Sequence, residues 1–248
     1  MLRPALDPEN IRLLNWNIAK GKHKGWQHDF SNLCETVDIA LLQEAKLEYN
    51  MPSLFGEECC WSFAPGFTRP DHSTGVMTLS AAQTENSSLH SHREPWTRIP
   101  KAALISEYKL LDIELNLMVA NVHAINFTAG VRSFKRQLYS LLDELLHHHG
   151  PIIFAGDFNT WRRKRLSVVD DIIQILGLEA VHFPFDCRKQ AFGMALDHVF
   201  VRGLRGKTSS VEAVYSSDHN PMIVDLTLIP KLARQTPASL TSAITANL

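Results

Sequence analysis

Residues Pro151 to Asn159 read Pro-Ile-Ile-Phe-Ala-Gly-Asp-Phe-Asn, an apolar run that stops on an acid, an aromatic and an amide. So short a run, with Pro at its head and Gly near its end, predicts a buried strand over Pro151–Gly156. Its end delivers Asp157 and Asn159 to the rim of a sheet. Just upstream, Phe134, Leu138, Leu141, Leu142, Leu145 and Leu146 recur at helical spacing. They predict one helix from Phe134 to His149, closed by Gly150-Pro151. The pattern repeats outward in both directions. Leu166–Leu176 reads as a helix, and Leu196–Val201 and Met222–Leu228 as strands. On the N-terminal side Leu117–His123, Ala102–Tyr108, Thr74–Ala81, Val37–Gln43 and Ile11–Asn17 read as strands, with a helix over Trp26–Glu35.

Many strands with a few interspersed helices, and no linker in the middle, predict an α/β fold of two packed sheets flanked by helices in one domain. That domain is expected over residues 1–229. Ser, Thr and Pro dominate 230–248, which is expected to be a weakly ordered tail.

Bulk composition narrows the field mainly by exclusion. The 248 residues are 45% hydrophobic, enough for a sizeable core, and 25 Lys+Arg nearly balance 26 Asp+Glu. No global charge advertises a polyanion partner, so such a preference must come from local patches. Cys34, Cys59, Cys60 and Cys187 show no Cys-x-x-Cys spacing and suit a reducing compartment better than a disulfide framework. Met1 to Asn10 holds no apolar signal core, and no window approaches about 18 uninterrupted apolar residues. The expectation is a cytoplasmic protein without a stable membrane anchor or an obligate protein partner.

Polar groups recur where the apolar strands stop. Asn15 and Asn17 end the first strand, Glu44 the second and His123 the fifth; Asp157 and Asn159 follow the strand quoted above. Asp197 and His198 lie in a late strand, and Asp218 and His219 open the last. Taken singly, an Asp or Asn after a strand is ordinarily a turn or helix cap, and a lone His is ordinarily structural. His147-His148-His149, at the end of a helix, is of that ordinary kind. As a set, the carboxylates and amides are hard oxygen donors suited to Mg²⁺ or Mn²⁺, and no Cys/His cluster has zinc spacing. No Gly-x-Ser-x-Gly elbow or Walker-type loop is present. Acids, histidines and a hard cation suit attack of activated water on phosphorus, with a His–Asp pair handling the proton.

Asn15-Trp16-Asn17, Gln43-Glu44, Asn121-Val122-His123, Gly156-Asp157-Phe158-Asn159, Leu196-Asp197-His198 and Ser217-Asp218-His219 together resemble the motifs of the endonuclease/exonuclease/phosphatase superfamily, which includes pancreatic deoxyribonuclease. The stretches from Ser73 to Ala82, Val122 to Phe127 and Ser217 to Pro221 are similar to its bacterial YafD-like branch. The resemblance implies a four-layer α/β sandwich with two mainly antiparallel sheets. It implies Glu44 as the main metal ligand, with Asn17 beside it and Asp218 completing the site. His219 would be the general base or a transition-state donor, oriented by Asp197. Asp157 would position or deprotonate the water, Asn159 would hold that water or a phosphate oxygen, and His123 would contact the scissile phosphate. Whether Asp157 or His219 removes the proton stays open at this level.

Two basic runs bear on the substrate: Lys20-Gly21-Lys22-His23-Lys24 after Asn17, and Trp161-Arg162-Arg163-Lys164-Arg165 after Asn159. If the strand ends converge, both runs border the site and favour a polyanion; otherwise they are solvated loops. Trp26 and Trp161 are read as packing residues before base-stacking ones. Arg98, Lys101, Arg132, Arg136 and Gln137 are read as facing either the site or solvent. The leading expectation is a phosphodiesterase acting on nucleic acid. A phosphomonoesterase or phospholipid headgroup hydrolase, and a non-catalytic phosphate-ligand binding protein, are the alternatives.

Overall fold

A computed structural model describes residues 2–47, 54–55 and 59–230. Apart from Pro230, the expected tail lies outside the described residues. In chain order the elements are β1 (Ile11–Asn17), α1 (Trp26–Cys34), β2 (Ile39–Leu47), β3 (Cys60–Thr68), β4 (Ser73–Ser80), β5 (Thr84–Arg93), β6 (Pro100–Leu110) and β7 (Ile113–His123). They continue with α2 (Arg132–Tyr139), α3 (Leu142–His147), β8 (Ile152–Asp157), α4 (Arg163–Leu176) and β9 (Glu179–Ala180). A short hairpin of β10 (Gln190–Ala191) and β11 (Met194–Ala195) precedes β12 (Asp197–Arg202), β13 (Leu204–Val211) and β14 (Met222–Leu228).

Two six-stranded sheets result, in the orders β13-β14-β1-β2-β4-β3 and β5-β6-β7-β8-β12-β9. Neighbours are antiparallel except for β1 with β2 and β7 with β8. The inner faces bury one apolar layer, in which Leu13, Ile39 and Val224 pack with Val119, Ile153 and Val199. A second layer, with Phe134, Leu138, Val169 and Ile172, covers the outer face of the β7–β8 sheet with α2, α3 and α4. A third places Trp26 and Phe30 of α1 against Trp16 and Leu42 of the other sheet. The architecture is the expected four-layer α/β sandwich. Among the described residues, no helix is long and apolar enough to cross a membrane.

One expected element divides. The single helix read over Phe134–His149 is two, α2 and α3, separated at Ser140-Leu141. Ser140 Oγ donates to the Gln137 carbonyl at 2.7 Å, the back-bonding by which a mid-helix Ser ends or bends a helix. The apolar spacing survives the break because both pieces lie on the same sheet face.

Two local features fix how the site-bearing strands lie. Gly156 has a φ of +147°, and a Cβ there would stand 1.9 Å from the Val122 carbonyl oxygen. Only glycine permits β7 and β8 to approach at this point. On the outer face of β12, the His198 ring stacks on Phe200 with centroids 5.4 Å apart, and its Nε2 lies 2.8 Å from Thr160 Oγ. Burial, seconded by the Arg188 charge, lowers the His198 pKa from 6.5 to about 4.

Gly156→Ala should therefore cost about 4 kcal/mol or more, the range of a forced backbone clash, read as a collapse of the urea midpoint. A variant of wild-type midpoint would mean that the strands can separate here without penalty. The His198 shift carries a pH signature as well. Its folded-state pKa lies below the unfolded one, so the unfolded chain takes up the proton first as pH falls. Stability should decline from pH 6.5 towards about 4, and His198→Gln should make that decline shallower. An unchanged slope would show that His198 is not a contributor.

Candidate active site

The two parallel strand pairs place the site. β1 and β2 run side by side in one sheet, β7 and β8 in the other, and all four release functional residues at or near their carboxyl ends, where crevices form on α/β sheets. Asn17 closes β1, His123 closes β7 and Asp157 closes β8. His123 and Asp157 are register partners across the β7–β8 pair, and Asp157 is in turn opposite Asp197 across β8–β12. Glu44 sits inside β2, where the pairing with β4 shifts between Leu42 and Ala45. Its φ of +50° at this bulge turns the side chain away from the strand's alternation.

Behind these residues lies a buried amide cluster. Gln43 Nε2 donates to Asn15 Oδ1 at 2.9 Å and to Asn121 Oδ1 at 2.8 Å. Asn121 Nδ2 donates to the Met77 carbonyl at 2.9 Å, returning to the first sheet. Asn15 is thus not at the rim, as its place near a strand end suggested, but in the wall between the sheets, where it is 1% exposed.

Asn17, Glu44, His123, Asp157, Asn159, Asp218 and His219 line one cavity of about 450 Å³. Asp197, the remaining expected residue, stands behind His219 and accepts a hydrogen bond from its Nδ1 at 2.8 Å. The Ser217–His219 loop is strapped to β1. Ser217 Oγ donates to the Asn17 carbonyl at 2.7 Å, and Trp16 Nε1 donates to the His219 carbonyl at 2.8 Å. Asn17 Nδ2 donates to Asp157 Oδ2 at 3.0 Å, which links the two sheets at the cavity floor. Asp157 Oδ1 accepts from the Asn159 backbone N–H at 2.9 Å, and Asn159 Nδ2 donates to the Ala124 carbonyl at 3.0 Å.

The electrostatics separate the titratable groups. Burial and the Asp197 charge raise the Asp157 carboxyl to about 6, against the pull of His219 and Lys101. Burial alone would lower His219, but the charge and hydrogen bond of Asp197, with Asp157 and Asp218, outweigh it and hold the imidazole at about 9. His123 goes the other way, pushed well below its usual value by burial and by the charges of Lys101, His219 and Lys20. A neutral His123 can accept from Lys101 Nζ, 2.8 Å from its Nε2.

Asp157, Asp197 and His219 place one donor atom each within 4.8 Å of one another, close enough to share a cation. Asp197 Oδ1 is buried without a hydrogen-bond partner among the described residues. The carboxylate and amide oxygens of Glu44, Asn17 and Asp218, on the same cavity, are equally fit for a hard divalent ion. Glu44 meanwhile lies 3.4 Å from Lys20 and 3.9 Å from Lys101, and the exposed Asp218 lies 3.4 Å from Lys189.

Several residues take places that the sequence left open. Lys22 and His23 of the first basic run do line the cavity. Lys22 arrives there, and Lys20 beside Glu44, on a loop that turns at Gly21, φ +63°, against Trp26, which is a core residue. The second run is divided in role. Arg165 is 1% exposed and donates to the Ile125, Asn126 and Asn159 carbonyls, and Trp161 Nε1 donates to Asn126 Oδ1 at 2.8 Å. Gln137 faces neither solvent nor cavity: its Nε2 donates to the His123 carbonyl and its Oε1 accepts from the Ile125 N–H. Lys101 belongs to the cavity, a role its position near a predicted strand start allowed without singling it out. Lys189 and Asn126 were not anticipated, and an isolated Lys and Asn in polar loops carry no periodicity that would have marked them.

A model of the Endonuclease/Exonuclease/phosphatase family matches residues 14–219. Among solved structures, an endonuclease/exonuclease/phosphatase family protein from Leptotrichia buccalis is 13% identical with a TM-score of 0.69, covering 88% of this chain and 100% of that one. The human Nocturnin catalytic domain is 18% identical with a TM-score of 0.69, covering 91% and 96%. An endonuclease/exonuclease/phosphatase from Bacteroides vulgatus is 16% identical with a TM-score of 0.64, covering 89% and 99%. The structural likenesses speak for the fold, and the family match spans every residue of the cavity named above from Asn17 to His219. The chain belongs to the endonuclease/exonuclease/phosphatase family, a family of phosphoester hydrolases.

Proposed function

We propose that this chain, with residues 1–229 as its catalytic unit, hydrolyses phosphodiester bonds in nucleic acid with the help of Mg²⁺ or Mn²⁺. The observation that carries this reading is the facing of the buried His219–Asp197 pair and Asp157 across a cavity that also holds Glu44. Glu44, Asn17 and Asp218 would hold the ion, which when bound supplies positive charge to the phosphoryl oxygens. The human Nocturnin catalytic domain carries a bound sulfate anion, and a tetrahedral oxyanion of that kind is the shape expected of the substrate here.

The chain's own residues divide the remaining work. His219 has Nδ1 committed to Asp197, which fixes the ring and keeps it cationic. A ring already protonated does not accept the water's proton; it donates from Nε2 to a phosphoryl oxygen or the departing oxygen. Asp157 is the acceptor for the proton of the attacking water, its carboxylate oriented by the Asn17 amide and the Asn159 N–H. Asn159, with φ +51° and its amide pinned on the Ala124 carbonyl, fixes the turn that keeps this N–H on Asp157. Neutral His123 accepts from Lys101 Nζ and so holds that ammonium towards the phosphate, to which Lys101 donates.

Nucleic acid is favoured over a small phosphoester by the cations that border the cavity: Lys22, Lys101 and Lys189 line it and Lys20 stands beside Glu44. A chain whose overall charge is only −1 concentrates them there. The free thiols of Cys34, Cys60 and Cys187 are consistent with action in the reducing cytoplasm.

A panel of supercoiled plasmid, single-stranded DNA, RNA, inositol phosphates and sphingomyelin, assayed with Mg²⁺, Mn²⁺ or chelator, tests the reading. Nucleic-acid cleavage that chelator abolishes is expected. Glu44→Gln, Asp157→Asn and His219→Ala should each lose about 10²–10⁴-fold. Because these groups act as one unit, Asp157→Asn/His219→Ala should lose much less than the product of the single losses. Release of inorganic phosphate or a lipid headgroup without nucleic-acid cleavage would replace the substrate class. Metal-independent turnover, or turnover indifferent to Glu44→Gln, would end the proposal.

A further inference from the structure

A second cavity of about 310 Å³ adjoins the catalytic one and shares Glu44, Lys101 and His123 with it. Away from those three residues its lining is mixed, Phe67, Ile99 and Phe127 standing with Lys20, Arg69 and Glu94. We propose that this cavity is the subsite for the planar base of the nucleotide next to the scissile phosphate, with Phe127 as its stacking platform. The proposal rests on the nucleic-acid reading above and names the part of the substrate that would be recognised.

Phe127 is held on an ordered backbone. It is 51% exposed, yet the backbone at and before it is bonded to buried side chains. Glu94, 2% exposed, accepts from the Asn126 N–H at 2.7 Å and the Phe127 N–H at 3.3 Å, and its other oxygen accepts from Thr97 Oγ at 2.6 Å. Gln137 and Arg165, both 1% exposed, take the N–H and the carbonyl of Ile125. Two buried charges and a buried amide are thus committed to a segment whose product is a solvent-facing phenyl ring. An aromatic presented on a pre-ordered backbone binds a flat partner without an ordering cost at the moment of association.

Positive charge accompanies the aromatic lining. The Arg69 guanidinium lies over the Phe67 ring, 5.3 Å from its centroid, and Lys20 and Lys101 stand at the end nearer the catalytic residues. Cations beside an aromatic lining suit the phosphates and the base of a single strand. An acyl chain would instead favour an uninterrupted apolar wall, which this cavity lacks.

Short single-stranded oligonucleotides carrying either a base or an abasic sugar beside the cleaved bond, together with a small diester such as methyl p-nitrophenyl phosphate, test the assignment. Phe127→Ala should lower kcat/KM for the base-bearing strand about tenfold relative to the small diester, the loss falling on KM. Its melting temperature should match wild type, and Phe127→Tyr should restore the ratio. On the abasic strand wild type and Phe127→Ala should behave alike. A parallel titration of an oligonucleotide containing 2-aminopurine, in chelator, reads binding without turnover: quenching by wild type and its loss in Phe127→Ala are expected. A selectivity ratio unchanged by Phe127→Ala overturns the subsite even if the enzyme cleaves nucleic acid. If wild type cleaves no nucleic acid, the parent reading fails, and absence of 2-aminopurine quenching then overturns the subsite as well.

Discussion

The Gln43 carboxamide, 0% exposed, is the hinge pin of this molecule. It ties Asn15 in its own sheet to Asn121 in the other, and Asn121 bonds back to the first sheet at Met77. Apolar side chains alone would let two sheets slide over one another at little cost, because burial is nearly indifferent to register. Buried amides are not indifferent, since a donor or acceptor left without its partner costs about 1–3 kcal/mol. Each member of the cluster lies one or two residues before a residue of the cavity: Asn15 before Asn17, Gln43 before Glu44, Asn121 before His123. Strand alternation places Asn15 with Asn17, and Asn121 with His123, on the same face. A polar bond that locks the sheets therefore also sets the distance across which the site residues face each other.

That locking explains why a functional cleft can be assembled from widely separate parts of the chain. Asn17 reaches across to Asp157, Ser217 reaches back to β1, and Trp16 holds the His219 carbonyl. Each contact joins a residue of one sheet, or the loop attached to it, to a neighbour fixed by the cluster beneath. Charge is distributed along the same division. The acids around His219 keep it protonated, while burial, seconded by the charges of Lys101, His219 and Lys20, keeps His123 neutral. Two histidines on one cavity are driven to opposite charge states by their neighbours, so one offers a proton and the other a lone pair at the same pH.

The fold was legible in proportion to two-sided burial. The eight strands read from the sequence correspond to β1, β2, β4, β6, β7, β8, β12 and β14, which are the interior strands of the two sheets. The long strands that went unread, β3, β5 and β13, are all edges. β5 is Thr-Glu-Asn-Ser-Ser-Leu-His-Ser-His-Arg, and β3 carries Pro65, as an edge strand can. With one neighbour and one wet face, such strands need no apolar run. At the site, the motif residues were legible because their types are chemically unusual where apolar strands stop. Lys101 was read as facing either the site or solvent, and Lys189 and Asn126 were not read at all, since a Lys or Asn on a surface segment looks the same whether a cavity lies beneath it or not. The division of α2 from α3 was hidden for a related reason: the spacing of buried residues reports which face is covered, and Ser140 breaks the backbone without disturbing that face.

The misread basic run shows where counting charges fails. Arg162 to Arg165 looked like one polyanion surface, yet Arg165 is spent inside the protein on the carbonyls of Ile125, Asn126 and Asn159. Burial accordingly lowers its pKa from 12.5 to about 10, a price that a surface arginine would not meet. A guanidinium satisfies several carbonyls at once in a fixed plane, which a lysine at the same place would not do. Arg165 thereby holds the chain that follows His123 against the chain that follows Asp157, two segments whose parent strands are already neighbours. The cations that line the catalytic cavity are instead Lys22, Lys101 and Lys189, from three separate stretches of sequence. Local positive charge is thus a property of where strands end, and a run of basic residues along the chain is a poor guide to it.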